Sequence, residues 1–168
     1  MINNLLSIST LVAELGCGLI AGVFFAFSVF IMKALAALPP AQGIPAMQSI
    51  NVVVLNPWFL GVFLGTAVVC IFLALSSLLA WHRPGAACLL AGCVLYLAGT
   101  VMVTMVFNVP RNNALAAVDP ASVEAVEVWT EYVRSWTAWN HVRTVAALAA
   151  AASLTAALCS SSHPSVLP

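Results

Sequence analysis

The chemistry-bearing residues of this chain gather in a few short stretches. The densest holds Trp136, Asn140 and Arg143, spaced i, i+4 and i+7, so a helix presents all three on one face. A guanidinium keeps its proton and offers five donors in a planar fork, while an amide both donates and accepts. With Asn108, Asn112 and Asn113, which close an apolar run upstream, these groups could line a small polar pocket and bind an oxygen-bearing ligand. They could equally hydrogen-bond loop backbone and one another, tying helix ends together, and residue chemistry alone leaves both readings open. His141 is the one histidine at this end of the bundle, where a lone His is more often a hydrogen-bonded structural residue. Zinc or copper needs three or four ligands, and no second His or carboxylate is placed to help, although one axial His could hold a haem. No Ser/His/Asp set, phosphate loop or paired carboxylate is found.

The elements that position these residues must lie in lipid. Apolar residues make up 63% of the chain and charged residues 6%, where a soluble domain carries roughly 25% charged residues. Five Lys and Arg, five Asp and Glu and three His cannot coat a water-exposed surface. A membrane-crossing helix needs about 20 mainly apolar residues, and four runs qualify, at about 11–31, 58–81, 86–107 and 139–158. Backbone groups in lipid must pair within their own segment unless a barrel closes, and these runs lack the two-residue alternation of barrel strands. The expected fold is therefore all-α, one integral-membrane domain over residues 1–168 forming a four-helix transmembrane bundle. Zero formal net charge and the lack of a basic tract exclude nucleic acid as a partner. The five cysteines sit in or beside apolar runs without a Cys-x-x-Cys pair and read as small apolar filler.

His82-Arg83-Pro84-Gly85 forms a tight turn between the second and third spans, so the two longer connections share the opposite face. One runs from Lys33 to Leu55, the other from Asn108 to Ala138. In the second, Asp119-Pro120 reads as an N-cap followed by Pro at the first helical position. Glu124, Glu127 and Glu131 then recur opposite Val126, Trp129 and Val133, which predicts a short amphipathic helix at the membrane surface. Antiparallel threading brings Ser28, Asn51 and Asn56 to the same end as Asn108, Asn112 and Asn113. Trp136, Trp139, Asn140, His141 and Arg143 join them there, while His82, Arg83 and Glu14 lie towards the other end. Lys33, Arg111 and Arg134 against Arg83 alone make the long-loop face cytoplasmic by the positive-inside rule. Gly18-x-x-x-Gly22 and Gly61-x-x-x-Gly65 predict close helix contacts, within the bundle or in a homo-oligomer.

Six stretches carry a family likeness: Gly18-Leu-Ile-Ala-Gly22-Val-Phe-Phe-Ala-Phe-Ser28, Leu38-Pro39-Pro40-Ala-Gln-Gly43, Met47-Gln-Ser-Ile-Asn51, Asn56-Pro57, Asn108-Val-Pro110-Arg-Asn112-Asn113-Ala-Leu115 and Trp136-Thr-Ala-Trp139-Asn140-His-Val-Arg143-Thr144. With them the chain resembles small four-span membrane proteins named for fungal anthrone oxygenases, in particular their bacterial members. The resemblance implies an integral protein of a bacterial inner membrane, surrounded by lipid. It implies an oxygenase or oxidase that takes a small hydrophobic phenol, anthrone or quinol-like substrate and O₂. Such substrates react with O₂ directly once deprotonated, so no cofactor is required; a haem- or metal-binding redox protein and a non-catalytic binder or assembly subunit are the alternatives. Carried over by motif are Asn112, Asn113, Asn140 and Arg143. Arg143 and the amides of Asn112 and Asn140 would hold the substrate oxyanion, and His141, a position where the family pattern tolerates other residues, would accept its proton. Asn108, Asn113, Asn56, Asn51, Trp136, Trp139 and Ser28 are expected to line the substrate.

Overall fold

The computed structural model describes residues 2–162, and every regular element among them is helical. In chain order these are α1 (Ile2–Ala26), α2 (Met32–Ala36), α3 (Pro40–Val53), α4 (Pro57–Leu79), α5 (Ala86–Val94), α6 (Val109–Ala116) and α7 (Ala125–Ser162). π-Helical stretches at Phe27–Ile31, Leu95–Met102 and Thr104–Asn108 carry α1 on into α2 and α5 on into α6. Four helices are consequently long and apolar enough to cross a membrane: Asn4–Ala36, Pro57–Leu79, Ala86–Ala116 and Ala125–Ser160.

Local chemistry sets the helix boundaries. Asn56 caps α4, its Oδ1 accepting from the backbone N–H of Trp58 at 3.1 Å and Phe59 at 3.0 Å, with Pro57 at the first helical position. At the far end of α4 the chain turns through Gly85, whose φ of 81° suits a residue without Cβ. An added Cβ there would also meet the Ala157 carbonyl at 2.8 Å. Ser77 Oγ donates to the Ala86 carbonyl at 2.7 Å and fastens α4 to α5.

The four long helices pack as a ring in which α1 meets α4, α4 meets α5, α5 meets α7, and α7 returns to α1. Neighbours run antiparallel. Along the α1–α7 seam Glu14 accepts from Thr155 and Ser28 meets Thr144, while Tyr96 reaches from the third span to the Phe63 carbonyl of α4. Cys17, Cys70, Cys93, Ala150 and Leu154 fill the middle. The backbones come close at Gly16, where an added Cβ would strike Thr66, and at Gly99, where it would stand 2.5 Å from the Ala146 Cβ. The Gly18-x-x-x-Gly22 and Gly61-x-x-x-Gly65 stripes make no such contact within this chain: a Cβ at any of the four meets nothing within 4 Å. They face outward, and the intramolecular close contacts use glycines that the spacing motif did not select.

The two long connections are more helical than expected. α3 fills much of the first, with Gly43, Ile44 and Met47 facing inward. Gln48 Nε2 donates to the Leu115 and Val118 carbonyls at 2.9 and 3.2 Å, satisfying the end of α6. In the second, Asp119 opens a turn: its Oδ1 accepts from Ala121 N at 3.0 Å and its carbonyl from Ser122 N at 3.0 Å. The helix starts only at Ala125, and the expected surface helix and the fourth span are one uninterrupted element of 38 residues. No Gly or Pro occurs between Ala121 and Ser162 to end it. At 1.5 Å per residue α7 is about 57 Å long, against about 30 Å of hydrocarbon, so it extends well beyond the lipid core. Its first turns pack with α2, α3 and α6 around Met32, Leu35, Ile44, Met47, Leu115 and Trp129 as a second hydrophobic cluster, a cap over one end of the ring.

This packing predicts opposite responses from glycines of the same type. Gly99→Ala is expected to cost about 1–3 kcal/mol through overpacking against Ala146 and to lower the unfolding midpoint in detergent. Gly65→Ala should leave the midpoint unchanged; equal shifts for the two variants would contradict this helix packing.

Candidate functional site

The inward face of α7 carries Trp136, Asn140 and Arg143, as their spacing predicts. Asn140 is fully buried. Its Nδ2 donates to the Phe24 carbonyl and to Ser28 Oγ, both at 2.7 Å, and its Oδ1 accepts from Arg143 Nη2 at 2.6 Å. Thr144 donates to the Asn140 carbonyl at 2.8 Å and lies 3.1 Å from Ser28 Oγ. Every polar atom of the Asn140 amide group is thereby directed to α1 or to Arg143.

Arg143 is 4% exposed. Its Nη1 donates to Thr104 Oγ1 at 3.2 Å, and its Nε, buried, meets no partner. The guanidinium carbon lies 4.2 Å from the centroid of the Phe24 ring and 5.0 Å from that of Trp136, so two aromatic faces flank the cation. Among the described residues the one ion pair is Arg134–Glu131 on the surface, so Arg143 has no carboxylate beside it. Burying an unpaired charge costs several kcal/mol, and a desolvated cation–π contact returns about 2 kcal/mol. The cation is held in place yet remains undercompensated.

A second polar layer stands above it. Asn112 Oδ1 accepts from Tyr132 OH at 2.9 Å and from Trp136 Nε1 at 2.8 Å, and Asn51 Nδ2 reaches Tyr132 OH at 3.5 Å. Asn108 Nδ2 donates to the Trp136 carbonyl at 3.2 Å, while its buried Oδ1 meets no partner. Trp136 therefore joins the layers, with its ring towards Arg143 and its Nε1 on Asn112. Trp129, Tyr132 and Trp136 stack up the same face of α7, at 5.8 and 6.3 Å between centroids, and Phe27 closes on Trp136 at 5.7 Å. Ser28, Thr104 and Asn108 all sit in π-helical turns, whose extra residue per turn redirects the side chains that follow.

Other expected residues lie elsewhere. Asn56 is committed to the cap of α4, and Asn113 is exposed. Trp139 stacks on Phe107 with centroids 3.5 Å apart. His141 is exposed, because each residue advances about 100° round a helix and its neighbour Asn140 points inward. It opens onto a groove of about 340 Å³ between α2 and α7, together with Ser28, Lys33 and Thr137. A cavity of about 330 Å³ lies at the other end of the ring beside Arg83 and Gly85. Among the described residues no three His, Cys, Asp or Glu side chains gather as metal ligands. Phe24, Thr104, Tyr132 and Thr144 join the cluster without having been expected as site residues, although Phe24 and Thr144 fall within the stretches of family likeness. Thr104 carried a signal, one turn before Asn108 in an apolar run, and so did Tyr132, one turn before Trp136. Phe24 carried none of its own, being one of several phenylalanines in its span.

The family model described as anthrone oxygenase matches residues 58–153. The matched stretch includes Asn108, Asn112, Trp136, Asn140 and Arg143 and leaves out Phe24, Ser28 and Asn51. No curated protein and no solved structure matches the chain.

The bonding of Asn140 predicts a structural penalty for its loss. Interhelical hydrogen bonds in membranes contribute about 0.6 kcal/mol each and up to about 1.7. Asn140→Ala removes two of them, to Phe24 and Ser28, and also the bond from Arg143 within α7. It should therefore destabilise by about 1–3 kcal/mol and lower the unfolding midpoint in detergent. Asn113→Ala, on an exposed side chain, should leave it in place.

Proposed function

Since the chain belongs to the anthrone oxygenase family, we propose that it is a membrane-embedded oxygenase that oxidises a small hydrophobic phenol, anthrone or quinol-like substrate with O₂. The observation that carries this reading is Arg143, a permanent cation buried without a carboxylate, flanked by aromatic faces and left with a free Nε–H. Such a group is complementary to a flat aromatic ring bearing an oxygen anion: the charges pair, Nε–H donates, and Phe24 and Trp136 contact the ring system.

For an anthrone the reaction balances as follows. The ring-bound CH₂ loses one proton to give an enolate whose oxygen Arg143 holds. The electron-rich carbon bonds to O₂, the resulting peroxide anion takes up one proton in return for the first, and loss of water leaves a second carbonyl, so that anthrone and O₂ become anthraquinone and H₂O. The cation favours the enolate at a given pH, and a desolvated donor fixed in advance stabilises developing oxyanion charge more than water does. His141 opens onto the groove on the outer side of α7, so in this reading the first proton passes to water while the site is still open, and not to a side chain beside Arg143. Asn140 positions the guanidinium and Asn112 positions Trp136. The excess of Lys33, Arg111 and Arg134 at the capped end supports a cytoplasmic location for that end in a bacterial inner membrane.

The test is O₂ consumption by purified protein in nanodiscs with an anthrone. Arg143→Gln should lower kcat by about 100-fold or more while the protein keeps its elution volume, and Arg143→Lys should retain part of the activity. With kcat rising with pH as the bound substrate ionises, the rise should move to higher pH in Arg143→Gln. A folded Arg143→Gln protein with wild-type turnover would remove the proposal. An absorption spectrum and metal analysis of active protein decide between this reading and a haem or metal centre.

A further inference from the structure

The groove beside His141 takes no part in the reaction proposed above, yet it concentrates the little charge this chain has. Two of the five Lys and Arg, Lys33 and Arg134, line it together with His141 and the hydroxyls of Ser28 and Thr137. Glu131 pairs with Arg134 at 2.8 Å, which leaves Lys33 without a carboxylate at ion-pair distance among the described residues. Thr137 Oγ1 is buried and meets no partner. A hydroxyl without an acceptor beside an uncompensated cation is a site for an anion with oxygen acceptors.

What lies next to the groove indicates which anion. On the first span Gly18, Gly22, Phe25 and Val29 follow at three- and four-residue spacing and are all exposed; on α7 Val145 and Leu148 continue the line of His141. An added Cβ at Gly18 or Gly22 meets nothing within 4 Å, so a shallow apolar strip runs from the groove towards the middle of the span. The floor of this strip is the α1–α7 seam, held by Ser28 with Thr144 near the groove and by Glu14 with Thr155 further along. A polar, cationic head with an apolar track beneath it has the layout of a phospholipid.

We propose that the groove and strip bind one anionic phospholipid. Its phosphodiester sits among Lys33, Arg134 and His141 with Thr137 donating, and one acyl chain lies over Gly22 and Gly18. A phosphodiester with an uncharged headgroup brings one net negative charge to the one uncompensated lysine, whereas phosphatidylcholine carries its own cation and is neutral overall. Ser28 connects this site to the cluster: it lines the groove and accepts from Asn140, which holds Arg143.

Native mass spectrometry of purified protein titrated with dioleoyl phosphatidylglycerol or dioleoyl phosphatidylcholine reads lipid binding directly, independently of turnover and of the role given to Arg143. Phosphatidylglycerol should bind about tenfold tighter, and Lys33→Gln and Arg134→Gln should each reduce that preference by about fivefold, the effect of one basic residue at a membrane surface. Both residues are exposed, so folding is not at stake. Gly22→Leu, which fills the strip, should weaken both lipids while keeping their ratio. Equal binding of the two lipids by the unaltered protein, an unchanged preference in Lys33→Gln, or displacement of phosphatidylglycerol by excess inorganic phosphate overturns the proposal.

Discussion

A guanidinium that cannot shed its proton and cannot reach water has to be accommodated by everything around it, and the capped end of this molecule is organised accordingly. Arg143 takes one acceptor from its own helix, Asn140, and one from the third span, Thr104. Phe24 and Trp136 supply electron-rich faces. Asn140 in turn is fixed by a backbone carbonyl and a hydroxyl of the first span. Three of the four long helices are thus tied to one positive charge, and the fourth, α4, closes the ring against α1 and α5 without touching it polarly. Among the described residues no acid completes the arrangement, so the cation is not the half of an internal ion pair.

Much of this was legible in the sequence, because hydropathy and helical period are both coarse signals that survive in lipid. The scarcity of charge required a membrane, the four apolar runs gave the spans, and the seven-residue interval from Trp136 to Arg143 placed three polar groups on one face. Convergence of Asn108 and Asn112 on that face followed from antiparallel threading alone. Less legible was what depends on angle. His141 adjoins Asn140 in sequence yet faces outward, and Phe24 contributes a carbonyl and a ring that no polarity scale records. The π-helical turns left no mark in composition, although they redirect Ser28, Thr104 and Asn108. The small-residue motif is of another kind: glycine spacing shows that backbones can approach, and only the packing decides which glycines are approached within the chain.

The two hydrophobic clusters divide the work. The one within the ring, around Cys17, Cys70, Cys93 and Tyr96, is ordinary membrane packing and keeps the helices in register. The other lies beyond the apolar runs and seals the polar cluster from the aqueous side with Trp129, Tyr132 and Trp136 backed by α2, α3 and α6. A hydrophobic plug above a buried cation excludes water, and that exclusion gives a fixed donor its advantage over solvent.

The unbroken course of α7 has a mechanical consequence. One rigid rod carries Trp129 at the top of the plug and Arg143 at the bottom of the site, so that part of the cover cannot swing aside without dragging the guanidinium off its partners. Any opening of this end falls to the opposing wall, where the chain breaks between Ala36 and Pro40 and a short helix leans on α7 through side chains alone. The give at this end of the molecule therefore lies in the cap and not in the span that carries the cation.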